Sequence, residues 1–440
     1  MRDYFEKLQR SGAVREITRE VSGKHELAAV TQASQRESDA ALLFHKVTGS
    51  RVPVMTNIFG SRPRLVDMIG AQDGSFCRRW VELMRSPALA PQITAAPNDL
   101  EEIKLTDLPQ ITYFEHDGGP YLTAGVFLAR EPGGGIPNLS FHRSQIISDT
   151  ELRVRLGRSH HLTQYQAKAE ARGEALEAAI LLGPPVSLVL AAAAPIAYHE
   201  NEMEVAGKIE GSPLKLRRCQ TVDLEVPVDT EIVIEGRILP ELRRPEGPFG
   251  EFMGYYVPVG DNHVFEVSAV TARRGALFHG LICGSPEDLR LLEVAVATRT
   301  YQALLAASLE GIIDVACVPF TMSTVVKINQ QYEGHARQVL LTAIGANHDW
   351  NKTVIVVDED VDINDFNDVW WAYLTRGRAD TRAMVLPEVP GFYRDPHRDY
   401  WGRLGIDATA PFGRKQEFVR KRIPGADAID LRDYLIRPSS

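Results

Sequence analysis

Apolar residues recur in two rhythms along the chain. Near its start Tyr4, Phe5 and Leu8 share one side of a 3.6-residue repeat and predict an amphipathic helix; short strands ALLFHKV (41–47) and RVPVMTN (51–57) follow, then a Pro-rich connection, RSPALAPQITAAPNDL (85–100). From about residue 105 β-branched, alternating stretches take over. YLTAGVFLAR (121–130), PVSLVLAAAA (185–194), TVDLEVPVDTEIVIEG (221–236) and HVFEVSAVTARR (263–274) all read as strands. One long helical pattern interrupts them, LTQYQAKAEARGEALEAAILLG (162–183), with Gly183 as its stop. Past residue 285 a long helix (287–311) precedes STVVKINQQ, EGHARQVLLTAIGA, KTVIVVDEDVD and FNDVWWAYLTRG, an alternation of strand and helix that predicts an α/β unit. The fold class expected is α+β: a small mixed N-terminal region (1–104), a central β-rich domain (105–285), and a linker helix with a C-terminal α/β domain (286–440).

The 440 residues exceed what one hydrophobic core usually holds, which fits two or three domains. A net charge of −9 argues against nucleic-acid binding, since phosphate backbones select basic surfaces. Cys77, Cys219, Cys283 and Cys317 have no CxxC pairing, so reduced thiols are expected. The N-terminus lacks the apolar centre of a signal peptide, and no later run is long enough to span a membrane, which points to the cytoplasm. The acidic run Asp358, Glu359, Asp360, Asp362, Asp365, Asp368 lacks the spacing of an EF-hand and reads as a solvated loop after a strand.

The chemistry-bearing stretch is PEGPFGEFMGYY (245–256), where Glu246 and Glu251 flank Gly-Pro-Phe-Gly. Pro248 and two glycines exclude a helix, so only a folded turn brings both carboxylates to one pocket. A solvated surface turn is the plainer alternative. In a buried turn, however, a carboxylate needs a cationic partner or becomes a proton donor. Arg143, in PNLSFHR (137–143), is the natural partner, because its fork binds carboxylates bidentately. In a regular strand Asn138 and Arg143 would face opposite sides, so a shared site requires an irregular segment. GRSHHL supplies His160 and His161, of which at most one is expected to ligate, and HENEMEVAG supplies Glu202 and Glu204. Asn, His and Glu together suit Mg²⁺ or Mn²⁺ better than a structural zinc.

Taken in order, these segments resemble the UbiD family of decarboxylases, which remove carboxyl groups from aromatic and α,β-unsaturated acids using prenylated FMN. The resemblance runs from the Asn-x4-Arg segment through EVAGKIEGSPLKLRRCQTVDLEVPVDTEIVIEG, EGPFGEFMGYY, YEGHARQVLLTAIGA and KTVIVVDEDVDINDFNDVWWAYLTRG to GIDATAP. It implies a flavin-binding, split β-barrel-like central domain and an oligomerising C-terminal domain. It also implies reversible, non-oxidative decarboxylation through a covalent adduct with the flavin. Arg143, Glu246 and Glu251 match the catalytic set, with Glu251 as proton donor and Glu246 holding Arg143. Asn138, His161 and Glu202 match ligands of a divalent metal, Mn²⁺ or Mg²⁺, bridging to the flavin phosphate. Arg143, His160 and, more loosely, Lys352 join them in cofactor binding, and K⁺ is a further ion the family uses. The implied partners are a small carboxylic acid, CO₂, a flavin prenyltransferase that supplies the cofactor, and further copies of the chain in a dimer or hexamer. His142 and His160 stand where relatives carry other residues and are candidates for shaping substrate choice. Two other readings are a flavin-binding subunit without catalysis in a carboxylase complex, and a metal-dependent hydrolase using the same Asn, His and Glu.

Overall fold

The computed structural model describes residues 1–157, 160–347, 349–392, 402–430 and 433–434. The β-rich middle of the chain forms one antiparallel sheet. Of the elements that carry the site, its strands are β1 (Leu100–Glu102), β2 (Tyr121–Leu122), β3 (Val126–Arg130), β4 (Pro137–Phe141), β5 (Ser144–Ser148), β6 (Glu151–Val154), β7 (Leu176–Leu182), β8 (Ile232–Glu246) and β9 (Gly260–Arg273). Their order is β2-β5-β6-β9-β8-β7-β3-β4, with β1 also pairing β9.

Strands β4 and β5 are separated only by His142 and Arg143, yet they stand at or next to opposite ends of that order. Three virtual bonds span at most ~11 Å. The sheet must therefore curl until its two ends approach each other at Arg143. No strand pairing closes the ring among the described residues, so the barrel-like expectation takes the form of an open sheet joined by chain at this seam. Its bending is visible in β8 and β9, whose register shifts between Glu235 and Gly236 and again between Ile238 and Arg243. At Gly236 a Cβ would meet the Glu266 carbonyl at 2.1 Å, so the strands come too close there for any other residue.

Two expected elements change type. The pattern 162–183 splits into helix α1 (His161–Glu170) and strand β7, the break falling at Gly173 with φ +66°. Ala-rich composition favours helix, but β7 pairs on both sides, with β3 and with β8, and the paired, buried backbone outweighs that preference. The stretch read as strand 185–194 is instead a short helix, Val186–Ala192, that starts directly after Pro185 and packs on helix α2 (Glu202–Glu210).

The N-terminal sheet pairs Val14–Ile17, Ala41–Phe44, Val54–Thr56 and Phe278–His279, so the chain returns to it after β9. Helix α3 (Pro286–Ala306) then leads into a five-stranded α/β unit in which Ser323–Ile328, Thr353–Asp358 and Gly402–Asp407 run parallel. One apolar cluster runs from Phe5 and Trp80 through Leu188 and Val294 to Val339 and Val356, tying the regions together. Arg62 reinforces the tie from the N-terminal region, fully buried between Glu293 and Asp314.

The acidic run follows a strand as expected, with Glu359, Asp362 and Asp365 exposed, but its other carboxylates are not simply solvated. Asp358 is buried and bonded to Ala410 N and Gln330, Arg376 pairs Asp358 and Asp360, Arg420 pairs Asp368, and Asp365 caps the helix Phe366–Arg376. Arg376 and Arg420, later in the sequence, neutralise Asp358, Asp360 and Asp368. All four cysteines are unpaired, and no helix among the described residues is long and apolar enough to cross a membrane.

Candidate functional site

Glu246 ends β8, and the chain then turns at Gly247, whose φ of +100° suits glycine. Phe249–Gly250 pairs with Tyr256–Val257, and this ribbon carries Glu251 at its start. Gly250 is required here because a Cβ would lie 2.4 Å from the Phe114 ring. Arg143 enters from the seam between β4 and β5, an irregular link of the kind a shared site requires.

The three side chains converge. Arg143 Nε and Nη2 donate to Glu246 at 3.1 and 3.0 Å, and Nη1 donates to Glu251 at 2.9 Å. Glu246 also accepts from Tyr121 Oη at 2.8 Å and Asn262 Nδ2 at 2.9 Å. The Arg143 guanidinium lies over the Phe249 ring, 4.6 Å from its centroid. Burial works against the charge on Arg143, but Glu246 and then Glu251 more than offset it and its pKa is raised. Burial, with the charge of Glu246 behind it, likewise holds the Tyr121 phenol in its protonated, donating form.

Beside this triad lies a cavity of about 390 Å³, within the range of small-molecule sites. Glu251, Arg143 and Phe249 line it and Glu246 does not, so the two glutamates differ: one faces ligand space and the other braces the guanidinium from behind. Asn138, His142, His160, His161 and Glu202 line the same cavity. Asn138, on β4, donates to Glu202 Oε1 at 2.7 Å. Glu202 opens α2, with Asn201 as its cap, and its other oxygen, Oε2, is buried without a hydrogen-bond partner. Burial pushes the Glu202 carboxyl up to about 7, and desolvation lowers the His161 pKa, which favours a neutral imidazole. His142 is buried, 2.9 Å from Ser140 Oγ, and its ring centroid is 4.9 Å from that of His160. Lys352 is absent from the cavity lining. It leads into the strand Thr353–Asp358 and accepts from Leu404 N through its carbonyl, past the turn anchored by buried Asn351.

Sequence reasoning missed Tyr121, Asn262 and Phe249, although Phe249 sits inside the glutamate turn itself. It also missed Asp288 on α3, which lines the cavity and whose carboxyl burial pushes up to about 6. No local signal marks Tyr121 or Asn262, because each reaches Glu246 only through the sheet.

An open oxygen on a buried carboxylate, an amide whose half-turn exchanges Nδ2 for Oδ1, and a neutral imidazole are a donor set that fits a divalent cation. Among the described residues no three His, Cys, Asp or Glu side chains gather as a metal cage, a count that leaves Asn138 out. Ala192, Ala193, Ala194, Pro195 and Ile196 give one part of the lining an apolar character.

Residues 5–84, 90–286 and 291–408 match, in turn, the models of the N-terminal, Rift-related and C-terminal domains of 3-octaprenyl-4-hydroxybenzoate carboxy-lyase, UbiD. Anhydromevalonate phosphate decarboxylase of Methanothermobacter thermautotrophicus is 32% identical over 426 residues, covering 96% of this chain and 99% of that one. The UbiD-class enzyme HmfF of Pelotomaculum thermopropionicum, solved with FMN, superposes with a TM-score of 0.91 at 32% identity over 99% of both chains. An evolved dimeric form of the same enzyme, solved with prFMN, gives 0.88 at 31%, again over 99% of both.

Proposed function

The chain belongs to the UbiD family of carboxy-lyases, and from that premise we propose that it removes CO₂, reversibly and without net oxidation, from an aromatic, heteroaromatic or α,β-unsaturated carboxylic acid with prenylated FMN in its cavity. The observation that carries this reading is the single guanidinium shared between two buried carboxylates, only one of which faces the cavity. When bound, the prenylated flavin supplies the electron sink for the carbon that loses its carboxyl group.

The chain's own residues do the rest. Arg143, fixed by two bonds to Glu246, presents a constant positive charge that orients an anionic substrate at the cavity wall. Glu246, held by Tyr121 and Asn262 as well, keeps that charge in place. Glu251 faces the ligand and moves the proton, giving it to the vacated carbon or, in the reverse direction, taking it away. Asn138, His161 and Glu202 would hold Mn²⁺ or Mg²⁺, whose charge fits the open Glu202 oxygen and would neutralise a flavin phosphate there. Ala192–Ile196 and Phe252 add apolar lining to the same cavity, which disfavours water there. Trp370 and Leu374, exposed four residues apart on the helix Phe366–Arg376, support a homo-oligomer, either dimer or hexamer.

The test is expression with and without a flavin prenyltransferase, followed by identification of the bound cofactor by mass and absorbance and a screen of aromatic and conjugated acids for CO₂ release. The reading requires release only from protein made with the prenyltransferase. Equal release from both preparations, or release with added metal alone, contradicts it.

A further inference from the structure

Glu251 rides on a ribbon of two residues paired with two, Phe249–Gly250 with Tyr256–Val257. Its own N–H donates to the Tyr255 carbonyl at 2.9 Å, and Gly254 N donates back to the Glu251 carbonyl at 2.9 Å to close the turn. So short a pair does not keep its place unaided, and where Glu251 stands is set from outside the ribbon. Phe252 packs on Phe320, Trp350 and Phe392 of the C-terminal unit, which holds a side chain. The loop 114–119, leading into β2, holds the backbone.

Asp117 gives one oxygen to each of two tasks. Its Oδ2 accepts from Phe114 N at 3.0 Å and closes the loop's own turn, a bond for which aspartate is suited. Its Oδ1 crosses to the ribbon and accepts from Gly250 N at 2.8 Å, one residue before Glu251. Gly118 N donates to the Pro248 carbonyl at 2.8 Å, and Gln145 completes the circuit. Its Nε2 donates to the Gly118 carbonyl at 2.8 Å, while its Oε1 accepts from Gly247 N at 3.2 Å. Gln145 is buried on β5, two residues after Arg143. One amide therefore ties the loop and the glutamate turn to the strand that follows the guanidinium. The fit leaves no slack: a Cβ on Gly118 would lie 2.2 Å from the Gly247 carbonyl oxygen. Neither Asp117 nor Gln145 lines the cavity.

We propose that Asp117 and Gln145 are positioning residues: from outside the cavity they fix the backbone of the glutamate turn, and so the place beside Arg143 from which Glu251 moves the proton. The inference rests on the decarboxylase reading and adds to it the part of the chain that sets the geometry.

The experiment uses the cofactor-loaded full chain and three variants. Asp117→Ala and Gln145→Met remove both bonds of their side chains, and Asp117→Asn keeps an acceptor for Gly250 N. Backbone hydrogen exchange, followed by mass spectrometry in peptides covering 247–257, reads the hold on the ribbon without requiring turnover; peptides from β7 and β9 serve as the internal reference. In Asp117→Ala and Gln145→Met, exchange at 247–257 should rise at least about tenfold while the reference strands keep their rates. On an acid the wild type turns over, kcat per bound cofactor should fall about 10- to 100-fold with KM within about twofold, because proton transfer depends on where Glu251 stands. Asp117→Asn should stay within about fivefold of the wild type in both readouts. Two variants on separate elements keep the test open should one of them fail to fold. Wild-type exchange at 247–257 overturns the proposal, as does faster exchange with unchanged kcat, or a loss carried by KM. If the wild type turns over no acid, the decarboxylase reading fails, and the exchange rates alone decide whether Asp117 and Gln145 hold the ribbon.

Discussion

Glu246→Gln keeps the shape of the side chain and removes its charge, and its cost can be worked from the bonds around it. Glu246 is 1% exposed and accepts four hydrogen bonds: two from Arg143 and one each from Tyr121 and Asn262. A glutamine must turn its NH₂ toward one side of this shell. Toward Oε1 it meets Arg143 Nε and Tyr121, whose hydroxyl can rotate to accept; toward Oε2 it meets Arg143 Nη2 and Asn262. In both orientations one N–H of Arg143 faces another N–H, and the guanidinium loses its main counter-charge in a buried setting. Breaking a buried pair in this way costs about 3–5 kcal/mol, which thermal unfolding reads as a fall of several degrees in Tm. A guanidinium displaced by about 1 Å should also lower kcat about 100-fold on any acid the wild type turns over. Tyr121→Phe removes one of the four bonds and should give a smaller loss in both assays. Wild-type Tm and turnover in Glu246→Gln would refute the view that this residue braces Arg143.

Three further outcomes are expected. Glu202→Gln should bring Mn²⁺ content after loading and desalting, measured by elemental analysis, from near stoichiometric to about a tenth or less, because the open oxygen loses its charge; full occupancy would remove Glu202 from the ligand set. Asp288, with its folded pKa raised to about 6 by burial, stabilises the fold fully below the ordinary carboxyl value, and that contribution is lost as pH rises from ~4 through about 6. Relative to Asp288→Asn, the wild type should therefore lose about 3 kcal/mol across that window in parallel denaturant titrations, and parallel pH profiles would contradict this. Arg62→Met leaves Glu293 and Asp314 buried without their shared cation and should cost about 3–5 kcal/mol; an unchanged unfolding midpoint would show that this tie does not hold the N-terminal and C-terminal regions together.

What could be read from the sequence follows the range of the forces involved. The glutamate turn was legible because its need for backbone freedom is written locally, in Gly247, Pro248 and Gly250. The pairing of Arg143 followed from charge and fork geometry, though not that it would serve both glutamates. Strand β7 was misread because it is paired on both sides and buried on both faces, so its Leu, Ala and Ile residues lack the alternation that marks a half-exposed strand. The helix Val186–Ala192 was misread for the converse reason, as a short apolar run carries no period long enough to decide its type. Tyr121 and Asn262 could not be found at all, since they meet Glu246 only because the sheet curls, a property of the whole strand order and of no single segment. The acidic run is solvated at Glu359, Asp362 and Asp365, and only Arg376 and Arg420, further along the chain, set Asp358, Asp360 and Asp368 apart.

The central claim is that Glu251, facing the cavity on a turn held by Arg143, moves the proton. The direct measurement is CO₂ release and bound-cofactor content of Glu251→Gln made alongside the wild type with a flavin prenyltransferase. The account predicts the same cofactor mass and absorbance in both proteins and a loss of turnover of at least about 100-fold in the variant. A variant that keeps its cofactor and releases CO₂ at the wild-type rate would contradict it.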